Sequence, residues 1–303
     1  MVGPVVIERT NLLSPRLYGL ASVLVPGGLG AWLLAPPSGF AAKLAGALLL
    51  LFALFMLRTT LRFAKTVSLV GDRARVRSLW TRSEREIDLH GLADVAIRLA
   101  PQPNEVAVAP ASINLSFADG ERLFLGPDFA GAAQVAESAI QTAGGIRFPV
   151  HLASGCLCAW LRFLQDPRLG VSAGYVLPAG QLTLYFYRGD AATVPPGPGS
   201  DLVAAELAKA CADMDKRFAA EGARAPELLE RGVLGEGTAL PMLKATFAVQ
   251  EIRGPATSCV FLTGHAGHFL KGRFTGADPH GADAALAALG EQLAAIGAPI
   301  LES

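Results

Sequence analysis

The chain has 303 residues, room for roughly two domains, with 26 Lys+Arg set against 26 Asp+Glu. That balance argues against a dedicated nucleic-acid binder, which carries a strong basic excess. Hydrophobic residues reach 51% and the mean hydropathy is +0.40, high for a soluble protein, so apolar sequence must be concentrated somewhere.

It is concentrated near the start. After an N-terminal tail over residues 1–16, the stretch Leu17–Leu57 carries one charge, Lys43. Pro36-Pro37-Ser38-Gly39 divides it into Leu17–Ala35 and Phe40–Leu57, of 19 and 18 residues. A bilayer core of about 30 Å takes about 20 helical residues, and about 17 suffice. Two such helices joined by a four-residue turn predict a transmembrane hairpin over 17–57. Pro26, Gly27, Gly28 and Gly30 are tolerated inside such a helix, and Ala42 and Gly46 offer a matching small surface for close packing. Arg9 and Arg16 precede the pair, Arg58, Arg62 and Lys65 follow it, and only Lys43 lies near the turn. The positive-inside bias places both ends in the cytoplasm and the protein in the inner membrane.

Beyond Lys65 the period changes from helical to two. Val67–Val70, Ala74 with Val76, Ile87 with Leu89, Val95 to Leu99, Val106–Val108, Ile113 to Phe117 and Leu123 with Leu125 read as seven short strands. Asp119-Gly120 marks a tight hairpin turn. A helix follows, with Asp128 as N-cap, Phe129, Ala132, Ala136 and Ile140 on one face, and Gly144 at its end. Arg73, Arg75, Arg77, Arg82 and Arg85 read as a solvated strand face, interrupted by Glu84, Glu86 and Asp88. Two membrane spans, a basic stretch and seven strands with a closing helix, notably Val76-Arg77-Ser78-Leu79-Trp80, Ile87-Asp88-Leu89 and Leu92-Ala93-Asp94-Val95, resemble the bacterial PH-like-domain membrane proteins. The resemblance implies a PH-like β barrel over 66–146 and a non-enzymatic role in assembly or protein interaction. It brings no functional residues with it.

Residues 147–303 mix strands and helices. His151–Leu164, with Trp160, is an apolar piece expected as a core helix, or else as one lying in the membrane interface. Leu182 to Tyr187 alternates as a strand, and Val194–Gly199 is a Pro/Gly loop. A helix over about 202–221 buries Val203, Leu207, Cys211, Met214 and Phe218. Strands return around Ala245–Val249, Cys259–Leu262 and Phe269–Phe274, the last two joined through Thr263–His268, and a final helix runs from Ala282 to Ile296. This order predicts an α+β domain with an antiparallel sheet, and it is similar to the PsbP-like sandwich.

Two motifs invite chemistry. Gly170-Val171-Ser172-Ala173-Gly174 matches a hydrolase nucleophile elbow, which needs a strand before the serine and a helix after it. Here Gln165-Asp166-Pro167-Arg168 precedes it and strand-like Tyr175-Val176-Leu177 follows. His265 and His268 are spaced like metal ligands, but across a turn, with Cys259 and His280 the nearest further candidates for a zinc set of three or four. Cys156, Cys158, Cys211 and Cys259 form no framework and suit reduced core thiols. The leading expectation is therefore a non-enzymatic membrane protein with no cofactor, whose partners are the bilayer and another protein. The alternatives are a membrane-tethered hydrolase or metal enzyme using Ser172 or His265/His268, and a small-ligand sensor with a pocket between the sheet and the 202–221 helix.

Overall fold

A computed structural model of the chain describes residues 5–8, 13–35, 39–61, 64–79, 83–99, 110–152, 155–220, 223–238, 240–251 and 254–276. The elements begin with β1 (Val5–Glu8), α1 (Leu13–Leu34), α2 (Phe40–Leu61), β2 (Ala64–Val70), β3 (Arg73–Ser78) and β4 (Glu84–Asp88). They continue with β5 (Leu92–Leu99), β6 (Pro110–Phe117), β7 (Arg122–Leu125), α3 (Ala132–Gly144), β8 (His151–Leu152) and β9 (Gly155–Arg162). The last are β10 (Val171–Leu177), β11 (Gly180–Tyr187), α4 (Asp201–Ala220), β12 (Glu227–Leu234), β13 (Met242–Glu251), β14 (Gly254–His265) and β15 (His268–Gly276). They form two compact units, Met1–Asp88 with Leu123–Ala132, and Leu89–Arg122 with Ala133–Ser303.

In the first unit, α1 and α2 pack against each other with antiparallel sense. A Cβ on Gly30 would stand 2.8 Å from Gly46 O, one on Gly46 would stand 2.9 Å from Leu34 Cγ, and one on Gly27 would reach Ala53 at 3.6 Å. The backbones touch because neither glycine has a side chain. Among the described residues, one helix is long and apolar enough to cross a membrane, α2 over Phe40–Leu57. Helix α1 covers the expected Leu17–Leu34, and its described apolar run is Leu20–Leu34. A four-stranded antiparallel sheet, β1-β2-β3-β4, completes the unit. Its β1, which precedes the helices, pairs with β2, which follows them, from Val5↔Leu69 to Glu8↔Thr66. Lys65 is the extra residue where the β2–β3 register shifts. Cross-strand pairing sets Arg73, Arg75 and Arg77 opposite Asp88, Glu86 and Glu84, and Glu86 bonds Arg75 at 2.8 Å and Arg73 at 3.1 Å. Those hydrogen bonds, that from Arg75 first, hold the Glu86 carboxyl below its ordinary range.

The second unit is built on one antiparallel run, β12-β13-β14-β15-β11-β10-β9-β5-β6, with β8 beside β9. Three expectations change here. His151–Leu164 is a strand pair rather than a helix, because both faces of β9 are apolar and a continuous apolar run has no telling period. Leu89 lies in a short 3₁₀ turn, Leu89–Gly91, not in a strand. Helix α3 starts at Ala132 rather than after Asp128, since Gly131 takes φ +84° and a left-handed residue cannot begin a right-handed helix. The expected boundary at 146/147 is crossed by the β5–β9 pairing, Val95↔Trp160 and Ala96↔Ala159. The expected strand Val106–Val108, the turn residues 36–38 and the helix 282–296 lie outside the described residues.

Helix α4 forms as the sequence predicts. The Ser200 hydroxyl accepts from Val203 N at 3.2 Å and caps it, and its apolar stripe meets two clusters. Cys211, Met214 and Phe218 pack on Ala245, Phe247, Val249 and Val260 of β13 and β14. Val203 joins Tyr187, Val194, Leu262 and Phe269. Each such side chain contributes about 1.5–3 kcal/mol on burial. The edge strand β12 is exposed almost throughout, and its register with β13 shifts between Leu228 and Glu230. Near α3, Glu137 accepts from Val150 N at 2.8 Å and from Arg147 at 2.6 Å, fixing the chain as it leaves the helix.

Candidate functional site

The ends of β9, β10, β11 and β15 meet at one end of the sheet, because antiparallel register sets Val171 opposite Arg162 and Phe186, and Phe186 opposite Leu270. The residues just past those strand ends therefore share one rim. A cavity of about 700 Å³ opens there. Its wall includes Arg162, Arg168, Arg188, His90 and His268, together with Thr142–Gly145 at the C-terminal end of α3. Gly170 lets the chain pass close to β11. Its φ is +62° and a Cβ would press on Phe186 O and stand 2.9 Å from Tyr187 Cα.

Arg168 is held by carboxylates on both sides, Asp190 at 2.8 Å and Asp166 at 3.0 Å. These partners, Asp166 first, keep its guanidinium more firmly charged than an ordinary arginine and hold the Asp166 carboxyl below its usual range. Arg162 donates to His90 O at 2.8 Å, and Arg188 donates to Ala192 O at 3.4 Å. Among the described residues neither Arg162 nor Arg188 has a carboxylate partner. The His268 ring stacks on Phe186 with centroids 4.4 Å apart, and its Nδ1 lies 2.9 Å from Ala266 O. Burial, aided by Arg188, lowers the His268 pKa from its ordinary 6.5. Behind the cavity wall, the Trp160 ring is fully buried with its Nε1 unpartnered among the described residues, and a Cβ on Gly144 would stand 3.1 Å from it.

The structure puts Ser172 inside a strand and keeps His265 and His268 side by side at a hairpin turn. Ser172 lies within β10, paired with Leu161 and Tyr185, with no strand-to-helix turn. A 3₁₀ turn, Pro167–Leu169, precedes that strand, capped by Asp166. His265 and His268 face each other as the last pair of β14 and β15, separated by Ala266 and Gly267 alone. Both turn residues have positive φ, +49° and +76°, the twist that tight hairpins require. Among the described residues no third Cys, His, Asp or Glu joins the two histidines as a ligand set. His280 lies outside the described residues, and Cys259 accepts from the Thr246 hydroxyl inside the sheet core. The loop at Val194–Gly199 straps this hairpin, with Val194 N donating to Gly267 O at 3.1 Å and Gly197 N to Gly264 O at 2.8 Å.

A second, smaller groove of about 390 Å³ lies between α4 and the β12–β13 edge, lined by Leu207, Cys211, Arg231, Val233 and Leu243 among others. It falls where the sequence placed a ligand pocket. Lys271 occupies the adjoining sheet face, its Nζ 5.0 Å from the ring centres of both Tyr185 and Tyr187. The Tyr187 hydroxyl donates to Glu206 at 2.7 Å, so this cluster ties α4 to the sheet. Burial, with a smaller opposing pull from Glu206, lowers the Lys271 pKa. The arginines of the larger cavity escaped sequence reading because Arg162, Arg168 and Arg188 are isolated in the chain and meet only through strand register. Lys65 is half-buried in β2, Arg58 ends within α2, and Arg62 lies outside the described residues.

Comparison of the chain with protein-family models, with curated proteins and with solved structures finds no match in any of the three.

Proposed function

We propose that this chain is a membrane-anchored, non-enzymatic protein whose soluble domains serve interaction or assembly, with α1 and α2 as the anchor. The observation that carries the reading is the apolar surface these helices leave open. Trp32 is 71% exposed, Phe40 84%, and Leu44, Leu48, Leu51, Phe52, Leu54, Phe55 and Leu57 are exposed with them. At about 1.5–3 kcal/mol for each large side chain, α2 alone leaves on the order of 10–20 kcal/mol of burial unrealised. That matches the whole stability of a typical domain, so a lipid or protein covering is required.

The pairing of β1 with β2 supports a return to the starting side. It holds the chain entering α1 beside the chain leaving α2. Arg58, Arg62 and Lys65 then lie on the cytoplasmic side of an inner membrane, by the positive-inside bias. The PH-like reading draws support from element order alone, the strands β2 to β7 followed by α3. The PsbP-like reading draws support from α4 packed on β13 and β14.

The test is extraction of native membranes with alkaline carbonate, followed by reporter fusions at Ser303. The full chain is expected to stay in the pellet, and a chain lacking residues 13–61 to leave it. A fluorescent, phosphatase-negative fusion is the expected sidedness. A full chain that is monomeric in the carbonate supernatant overturns the anchor.

A further inference from the structure

We infer that the cavity at the end of β9, β10, β11 and β15 is a binding site for a phosphate-bearing small molecule, held by the guanidiniums of Arg162 and Arg188. Among the described residues three arginines stand in the cavity wall and no carboxylate does. Arg168 is neutralised from outside the wall by Asp166 and Asp190, which leaves it as a strut that fixes the 3₁₀ turn. Arg162 and Arg188 each make one bond to a backbone carbonyl, and a guanidinium carries five N–H donors. Among the described residues most of their donor capacity is uncommitted, and Arg188 is exposed and Arg162 half-buried, so a ligand can reach both.

Opposing charge must be weighed. Thr142–Gly145 bring the C-terminal end of α3 to the same wall, where a helix carries about half a negative charge. Two full positive charges without carboxylate partners exceed it. The helix end narrows the ligand further, since the last carbonyls of a helix favour a hydroxyl or ammonium donor on the molecule that brings the phosphate. Phe186 and the stacked His268 ring supply an apolar side for the rest of the ligand. A cavity of about 700 Å³ suits an organic molecule rather than a bare ion. Phosphate is favoured over a single carboxylate because two separate guanidiniums match an oxyanion with three acceptor oxygens.

The same chemistry is carried by a soluble phosphate ester and by a lipid headgroup, and the experiment separates them. Full-length protein in phosphatidylcholine nanodiscs is titrated with inorganic pyrophosphate by calorimetry. Saturable binding is expected, weakened about tenfold or more in Arg162→Gln and in Arg188→Gln and unchanged in Arg98→Gln, an exposed β5 arginine outside the wall. Thermal unfolding of each variant checks that it is folded. Repetition in discs containing phosphatidic acid identifies the source: competition assigns the site to a headgroup, and unchanged affinity assigns it to a soluble ester. Absence of saturable binding, or equal affinity in wild type and both folded cavity variants, overturns the site.

Discussion

Replacing Gly272 by Ala probes how closely the larger sheet is packed. Gly272 on β15 stands opposite Phe261 on β14. A Cβ there would fall 2.6 Å from Phe261 Cδ2 and closer still to Cε2 and Cζ. Ordinary carbon contacts are about 3.5–4.0 Å, so the ring would have to retreat by more than about 1 Å. Phe261 is fully buried, and an interior at crystalline density has no slack to receive it. Overpacking costs about 1–3 kcal/mol, and the loss of glycine's unfolded-state freedom returns about 0.4–1 kcal/mol. Gly272→Ala should therefore destabilise the protein by about 1–2 kcal/mol. Phe261→Ala alone should cost about 3–5 kcal/mol. In that second background the new methyl enters space the ring has left, and Gly272→Ala should become neutral or stabilising. The cycle then shows a favourable coupling of about 1–3 kcal/mol. Urea unfolding of the full chain and its three variants in detergent micelles, followed by tryptophan fluorescence, measures it. Two changes that add within about 0.5 kcal/mol would refute the packing argument.

Burial lowers the pKa of both His265 and His268 from 6.5, so the folded chain binds fewer protons than the unfolded one below about pH 6.5. Their stabilising contribution should be complete above that pH and lost as pH falls through the folded values; melting from pH 8 to 5 should show a shallower decline in His265→Asn/His268→Asn. Glu137→Ala strands Val150 N–H and Arg147 and should cost about 1–3 kcal/mol, whereas Glu137→Gln, which keeps an acceptor for Val150, should cost clearly less by the same denaturation assay. Burial, with Cys158 beside it, pushes the Cys156 thiol up to about 11, and burial also raises Cys158 and Cys211. At pH 8 a disulfide reagent should react slowly with all three in the folded protein and rapidly after urea is added; one fast thiol in the folded state would contradict this.

The sequence made the elements legible and their partnerships much less so. Leu17–Leu57 declared itself by length and lack of charge, and β3, β6 and β11 by strict alternation. Gly144 marked a helix end through local chemistry. β9 misled because Cys156, Leu157 and Trp160 are all buried, and burial on both faces erases the period that tells strand from helix. β12 escaped notice for the opposite reason: Glu227, Leu228, Leu229 and Glu230 are all exposed, so neither face is marked by hydrophobicity. The β5–β9 pairing joins Val95 to Trp160, and no local signal reaches across that separation. The cationic cavity depends on this kind of long-range register, which is why its arginines looked like ordinary surface residues.

The irregular register of β12 has a consequence for how the protein behaves while it is being made. A flat, regular edge strand offers a row of unpaired amides on which another chain can template itself. β12 ends the run of described strands, and it brings Leu228, Leu229 and Val233 into solvent, a sticky combination. The shift between Leu228 and Glu230 breaks that row near its start. Charged Glu227, Glu230 and Arg231 flank the apolar residues, and Glu230 stays exposed while pairing with Lys244 at 3.1 Å. A strand adding along the whole of this edge would have to follow the shift and cover the exposed charges of Glu227, Glu230 and Arg231. A sheet so terminated stays finite, and a chain with 51% hydrophobic residues can reach its folded state without growing outward from its own rim.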